Sequence, residues 1–281
     1  MANFLFAKQI PIFFRQSVIF AFNKGRARVL LYVGHFVVLP KYQLEMGKLF
    51  DELSKDYRLK EGLKTCINCG TCTAICPAAE FYKYDPRKII DTVQRRDDSE
   101  IEELLKSNTI WYCGECMSCM TRCPRKNAVG MVIMALRNLS TKLGYFTCSE
   151  KGRQLYPLSH ALNGNILKYG YCIHPETFRI EDHPEAGPVY EWHLQHKEDT
   201  YARLGANYMQ PGPGGLRKIS QQDLDELKAI YDITGGTERM ETIDRYSEAQ
   251  AASMGMTPDE YLKYTFEHCS PGHFNTEEEE L

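Results

Sequence analysis

Cys66-Ile67-Asn68-Cys69-Gly70-Thr71-Cys72-Thr73-Ala74-Ile75-Cys76-Pro77 is the stretch on which the fold turns, and Cys113-Gly114-Glu115-Cys116-Met117-Ser118-Cys119-Met120-Thr121-Arg122-Cys123-Pro124 repeats its spacing. Each run reads C-x2-C-x2-C-x3-C-P, and together they hold eight of the eleven cysteines. That spacing is the bacterial ferredoxin-type ligand set of a 4Fe–4S cluster. Three cysteines at this interval in a tight loop can offer thiolates to three corners of one iron–sulfur cube. In two-cluster ferredoxins the fourth, followed by proline, ligates the other cube. The expectation is one cluster on Cys66, Cys69, Cys72 and Cys123, a second on Cys113, Cys116, Cys119 and Cys76, and transfer of single electrons through both. Gly70, Thr71, Gly114 and Ser118 are small enough for the backbone to wrap closely round sulfide and donate amide hydrogen bonds to it.

Other uses of eight cysteines fit less well. Structural zinc favours paired C-x2-C units or cysteine with histidine. It leaves the third cysteine of each triplet and the C-P ending unexplained. A disulfide framework suits short secreted chains, whereas this chain shows no secretory signal and its cysteines follow cluster spacing. Thiolates of this kind point to a reducing, cytoplasmic compartment.

Outward from the two runs, the pattern is helical. Tyr42 to Tyr57 places Leu44, Met46, Leu49, Phe50 and Leu53 near one face. Asp85-Pro86 is an N-cap with proline at the first helical position, opening a helix to about Arg96 that turns Ile89, Ile90 and Val93 inward. Ser99-Glu100-Ile101-Glu102 resembles a capping box before the stripe Ile101, Leu104 and Leu105. Asn127 to Leu143 carries Val129, Val132, Ile133, Leu136 and Leu139 at helical spacing and stops at Gly144. These elements predict a mainly α fold: an α-helical dicluster domain over about residues 45–146, an N-terminal arm over 1–44, and an irregular helical extension over 147–281.

The arm is basic and apolar. No acidic residue precedes Glu45, while Lys8, Arg15, Lys24, Arg26, Arg28 and Lys41 are all cationic. The apolar runs Ile10 to Phe22 and Val29 to Leu39 both fall short of the roughly 18–20 residues a spanning helix needs. Residues 1–40 read either as a segment lying in a membrane interface, peripheral on the cytoplasmic face, or as a helical arm docking into a partner's groove. The extension carries turn signals at His183–Pro188 and Pro211–Gly215, caps at Ser220 and Thr257, a polar and aromatic helical stretch over Tyr190–Tyr208, and an acidic tail, Glu277 to Glu280. Little continuous hydrophobic pattern runs through it, which predicts a partner-wrapping extension.

The net charge of −3 gives no basis for nucleic-acid binding. No phosphate loop, dinucleotide fingerprint, nucleophile elbow or zinc-protease helix occurs, so no catalytic residue is expected. Cys148, Cys172 and Cys269 share no ligand spacing and read as small buried apolar residues. His193 and His196 read as surface or interface residues.

The two motifs, the helical linker between them, Trp111-Tyr112 before the second, Arg125 after it, and Leu136-Arg137-Asn138-Leu139 followed by Gly144-Tyr145 resemble the C-type subunit of heterodisulfide reductase and its relatives, over about residues 60–146. The resemblance implies a non-catalytic electron-transfer subunit with two 4Fe–4S clusters. It would relay electrons between the flavin-containing iron–sulfur A-type subunit and the catalytic B-type subunit. All eight cysteine positions match the ligands. The methanogen C-type chain is expected to be shorter, without this N-terminus and this C-terminal half. The loop Gln210–Arg217 is similar to versions in the heterodisulfide reductase-like complex of sulfur oxidisers. That likeness implies oxidation of sulfane sulfur, carried on a lipoate-binding protein, to sulfite. The same relay in a methanogen-type bifurcating complex, another respiratory dehydrogenase, and a structural metal scaffold are the alternatives.

Overall fold

The computed structural model describes residues 20–23, 26–29, 48–177 and 187–268. Phe20–Asn23 (β1) and Arg26–Val29 (β2) pair antiparallel, with Phe20 opposite Val29 and Asn23 opposite Arg26. A helical arm is therefore not what forms at these residues. A two-residue connection containing Gly25 is a hairpin signal that the apolar-basic pattern of the arm masks. The rest of residues 1–47 lies outside the described residues.

Of the helix expected over Tyr42–Tyr57, Leu49–Ser54 (α1) forms among the described residues, and a second short helix, Tyr57–Gly62 (α2), begins where that helix is expected to end. The break falls where Asp56 leaves helical backbone to cap α2, accepting from the Arg58 amide. Thr71–Ala74 (α3) carries Cys72, the last of the first cysteine triplet, Ala78–Phe81 (α4) follows Pro77, and Pro86–Arg95 (α5) begins at the expected Asp85 cap. Asp98–Lys106 (α6) starts earlier than the capping-box reading places it. Asp97, not Ser99, is its cap, because the Asp97 carboxylate reaches the amides of both Ser99 and Glu100. Ser118–Arg122 (α7) lies in the second cysteine run, and Val129–Leu143 (α8) runs to Gly144 at φ +80°.

The core of this part is apolar and continuous. Leu53, Leu59, Ile89, Ile90, Val93, Ile101, Leu105, Val132, Ile133 and Leu136 are buried together, and Cys66, Cys72, Cys76, Cys113 and Cys119 pack against them. Each fully buried Leu, Ile or Val stabilises by about 1.5–3 kcal/mol, so the cysteine loops rest on a stiff platform. Helices α2 and α8 approach each other closely. The Ala128 amide donates to the Gly62 carbonyl at 2.8 Å, and a Cβ on Gly62 would stand 2.9 Å from the Ala128 oxygen.

The second half is more ordered than its sequence pattern suggests. Glu150–Arg153 (α9), Leu155–Leu158 (α10) and Gly164–Tyr169 (α11) are short. Gly187–Gln195 (α12) and Lys197–Arg203 (α13) split the helix expected over Tyr190–Tyr208. Gln221–Thr234 (α14) and Pro258–Glu267 (α16) start at the expected caps, Ser220 and Thr257. Between them lies Gly236–Ser253 (α15), the longest helix among the described residues, which the sequence reading misses. Phe146, Tyr156, Ile243, Tyr246, Ala251 and Tyr261 form a second core, and α15 packs on α8. This half thus folds back on the cysteine-bearing half and has a core of its own. The acidic tail and Cys269 lie outside the described residues.

Candidate metal centre

The two cysteine runs fold as copies of one loop. In the first, the Asn68 amide donates to Cys66 Sγ at 3.3 Å, and Cys69 Sγ lies 3.4 Å from Thr71 Oγ1. In the second, the Glu115 amide donates to Cys113 Sγ at 3.4 Å, and Cys116 Sγ lies 3.4 Å from Ser118 Oγ. Left-handed backbone recurs at matching positions: Asn68 and Gly70 in one loop, Glu115 and Met117 in the other. Only one of these four is glycine, so the other three hold a conformation L-residues adopt at a cost of about 1–3 kcal/mol. That cost is sustained where surrounding contacts over-determine the loop.

Those contacts are specific. The Cys66 amide donates to Gln94 Oε1 of α5 at 2.7 Å. Asn127 Oδ1 accepts from the Lys64 amide at 2.6 Å, which turns its Nδ2 toward Cys123 Sγ at 3.7 Å; the Asn127 amide also reaches that sulfur at 3.3 Å. Asp85 accepts from the Thr73 hydroxyl and from Arg87, tying α3 to α5. In the second loop Arg137 of α8 is the clamp. Its guanidinium donates to the carbonyls of Ile110 (2.7 Å) and Cys113 (2.6 Å), pairs with Glu115 (2.7 Å), and lies over the Trp111 ring. A planar fork that meets three acceptors at once is a role lysine cannot fill.

Thiols from both runs meet at each of two cavities. Cys66, Cys69, Cys72 and Cys123 line one, of about 370 Å³. Cys76, Cys113, Cys116 and Cys119 line the other, of about 380 Å³. The matched thiol sets suit two copies of one group. Helices α3 and α7 touch, so the cavities are neighbours. Among the described residues no three Cys, His, Asp or Glu side chains converge as a mononuclear ion requires.

Electrostatics differ within each set. Burial pushes the thiols of Cys72 and Cys113 up, whereas the hydroxyls of Thr71 and Ser118 pull Cys69 and Cys116 down. Cys69 and Cys116 are also the exposed members of their sets. One polar atom at the second cavity stands out. Tyr84 is buried, lines that cavity, and its hydroxyl makes no hydrogen bond of sound geometry, with the Cys113 thiol the group that interacts with it.

Gln94, Asn127, Arg137 and Tyr84 are the positions that sequence reasoning misses as parts of the site. Only Arg137 carries a signal: a cation on a helix face otherwise built of buried residues. Of the leftover cysteines, Cys148 is half-buried with its thiol pushed up by burial. Cys172 is exposed, contrary to expectation. His193 bonds the Tyr201 hydroxyl and His196 the Trp192 carbonyl, both away from the cavities.

The model for a 4Fe-4S dicluster domain matches residues 61–127. The chain is 33% identical over 187 residues to the second iron–sulfur C-type chain of the CoB–CoM heterodisulfide reductase of Methanocaldococcus jannaschii, covering 66% of this chain and 80% of that one. It is 37% identical over 168 residues to the C2 chain of the H2/formate:CoB–CoM heterodisulfide,ferredoxin reductase of Methanococcus maripaludis, covering 60% of this chain and 72% of that one. It is 40% identical over 111 residues to the C-type chain of the ferredoxin:CoB–CoM heterodisulfide reductase of Methanosarcina acetivorans, 36% of this chain and 43% of the relative. The 187-residue match is longer than the dicluster region can supply, so the likeness to methanogen chains is not confined to residues 60–146. Two 4Fe–4S clusters are thus the cofactors, and the chain belongs to the family of C-type electron-transfer iron–sulfur subunits of heterodisulfide reductase.

Proposed function

We propose that the chain relays single electrons between the flavin-containing iron–sulfur A-type subunit and the catalytic B-type subunit of a heterodisulfide reductase-like complex, in a circuit that oxidises sulfane sulfur to sulfite. The observation that supports the relay is the pair of neighbouring cavities, each lined by three thiols of one motif and the fourth thiol of the other. Cys66, Cys69, Cys72 and Cys123 hold one cluster, and Cys113, Cys116, Cys119 and Cys76 hold the second. When bound, a 4Fe–4S cluster takes up and releases one electron at a time. The chain's own part is to bind, space and tune. The amides of Asn68 and Glu115 donate to Cys66 and Cys113, and hydrogen bonds to ligand sulfur are a main lever on potential. The exposed Cys69 and Cys116 mark the edges at which partners would approach.

The sulfur-oxidising circuit, with a lipoate-binding protein as carrier, rests on the likeness of the Gln210–Arg217 loop. The names of the methanogen relatives favour a second reading, the same relay in a CoB–CoM heterodisulfide-reducing complex. Anaerobic purification of the native complex separates them. A-type and B-type subunits with a lipoate-binding protein support sulfur oxidation, whereas hydrogenase or formate dehydrogenase partners support the second.

Residues 45–146 serve as the dicluster domain, and 147–281 as an extension for partner contact. No helix among the described residues is long and apolar enough to cross a membrane. Residues 1–40 are assigned to contact with the cytoplasmic membrane face. Liposome flotation should fall on their deletion, and unchanged flotation would assign them to a partner subunit instead.

A further inference from the structure

The two cavities have the same thiol plan but different side-chain donors. At the first, Asn127 supplies a backbone and a side-chain donor to Cys123 Sγ. The second has no asparagine in this role. Tyr84 and Pro86 stand in its lining instead, beside Cys76 and Cys113. Tyr84 is only 4% exposed. Its hydroxyl is buried without a hydrogen bond of sound geometry, although buried hydroxyls are nearly always paired, and the Cys113 thiol is the side chain that interacts with it as a hydrogen-bonding group. The ring cannot easily swing away to find another. It is held edge-on against Tyr112 at 6.2 Å, and Tyr112 is stacked on Tyr82 at 4.3 Å. A tight turn in which the Tyr84 amide donates to the Tyr82 carbonyl fixes the backbone beneath it. A phenol of ordinary pKa, about 10, keeps its proton at neutral pH, so the hydroxyl is a donor.

We infer that the Tyr84 hydroxyl donates its hydrogen bond to the Cys113 thiolate of the bound second cluster, holding that cluster at a more positive potential than it would otherwise have. The inference rests on the ligand assignment proposed above. Reduction transfers one electron from a reduced mediator to the cluster, adds one negative charge, and makes or breaks no bond. A donor to ligand sulfur stabilises the more negative form, so it favours reduction. Asn127 plays the corresponding part at the first cavity with a weaker, amide donor. The pair of side chains thus gives the two clusters separately adjustable potentials.

The test is a redox titration followed by electron paramagnetic resonance on anaerobically purified protein, with the second cluster's signal identified as the one lost in Cys116→Ser. Tyr84→Phe removes one oxygen from a packed ring. Both clusters should remain by iron and sulfide analysis. At fixed applied potential the reduced-to-oxidised ratio of the second cluster should fall about tenfold, equivalent to 59 mV for one electron, with the first cluster unchanged. Site-specific 3-fluorotyrosine at position 84, a more acidic phenol and so a stronger donor, should move the same midpoint the opposite way. A packing role would not give opposite signs. Unchanged midpoints with both clusters retained would overturn the inference. If Tyr84→Phe loses a cluster, the fluorotyrosine protein carries the test alone, and an unmoved midpoint there overturns it. A shift confined to the first cluster overturns it too, and traces the failure to the ligand assignment.

Discussion

At the residue scale, the cysteines identify themselves, but the groups that hold them in place do not. Arg137 is the clearest case. It satisfies the Ile110 and Cys113 carbonyls and pairs with Glu115, a non-glycine residue at φ +55°. Arg137→Ala should leave two carbonyls and a carboxylate without their donor, cost about 2–3 kcal/mol, and cause selective loss of the second cluster. Arg137→Lys should rescue little, since one ammonium cannot serve three acceptors. Iron content and the two paramagnetic signals check this, and equal loss of both clusters would show that Arg137 supports the whole fold instead of one loop. Sequence spacing made all eight thiols visible because C-x2-C-x2-C-x3-C-P, given twice, is a ligand interval that iron–sulfur cubes are known to take. Gln94 stayed invisible because it reaches the first loop from α5, 28 positions away, and Asn127 because only the fold brings the Lys64 amide to it and so turns it toward Cys123; nothing local distinguishes an amide that bonds solvent from one that bonds a ligand loop.

At the element scale, local signals were sound where a helix caps itself and failed where another element supplies the cap. Asp85 and Thr257 start α5 and α16 as expected, but Lys48 offers α1 no side-chain cap, and the Leu49 and Phe50 amides are met by Asp98 of α6 instead. Asp56 shows what a cap does for the site, because α2 leads directly into the first loop. Its carboxylate accepts from the Arg58 guanidinium and amide and from Asn138, and these bonds, Arg58's first, hold its pKa below the usual value against the opposing effect of burial. Asp56→Ala should lower stability by about 1–2 kcal/mol at neutral pH. A depressed carboxyl contributes fully above its unfolded pKa, about 3.9, and loses the contribution as pH falls through the lower folded value. Urea midpoints of wild type and variant should therefore converge as the pH drops below about 4, and a constant gap would mean the loss is one of packing. Gly62→Ala should cost about 1–3 kcal/mol by overpacking, since its Cβ would meet the Ala128 carbonyl. Thermal unfolding would check it.

At the scale of the whole molecule, the chain is two apolar cores joined through α8. One face of α8 carries the platform for the cysteine loops, and another receives α15, with Arg239 donating to Asn138 and the Tyr246 ring lying over Gly144. Only a glycine, at φ +80°, leaves room for that ring. Tyr246→Ala should cost about 3–5 kcal/mol and lower the melting temperature, while the two cluster signals at low temperature stay as in wild type. The second core escaped the sequence reading because its members, Phe146, Tyr156, Ile243, Tyr246 and Tyr261, are mostly aromatic and scattered over more than a hundred positions, so no single window shows a stripe. The central claim, however, is the proposed exchange of the fourth cysteine between motifs, with Cys123 serving the first cluster and Cys76 the second. It is tested most directly by anaerobic iron and sulfide analysis with paramagnetic resonance on Cys123→Ser, compared with Cys66→Ser and Cys116→Ser. The account predicts that Cys123→Ser perturbs the signal lost in Cys66→Ser and spares the other. Perturbation of the signal lost in Cys116→Ser would contradict it.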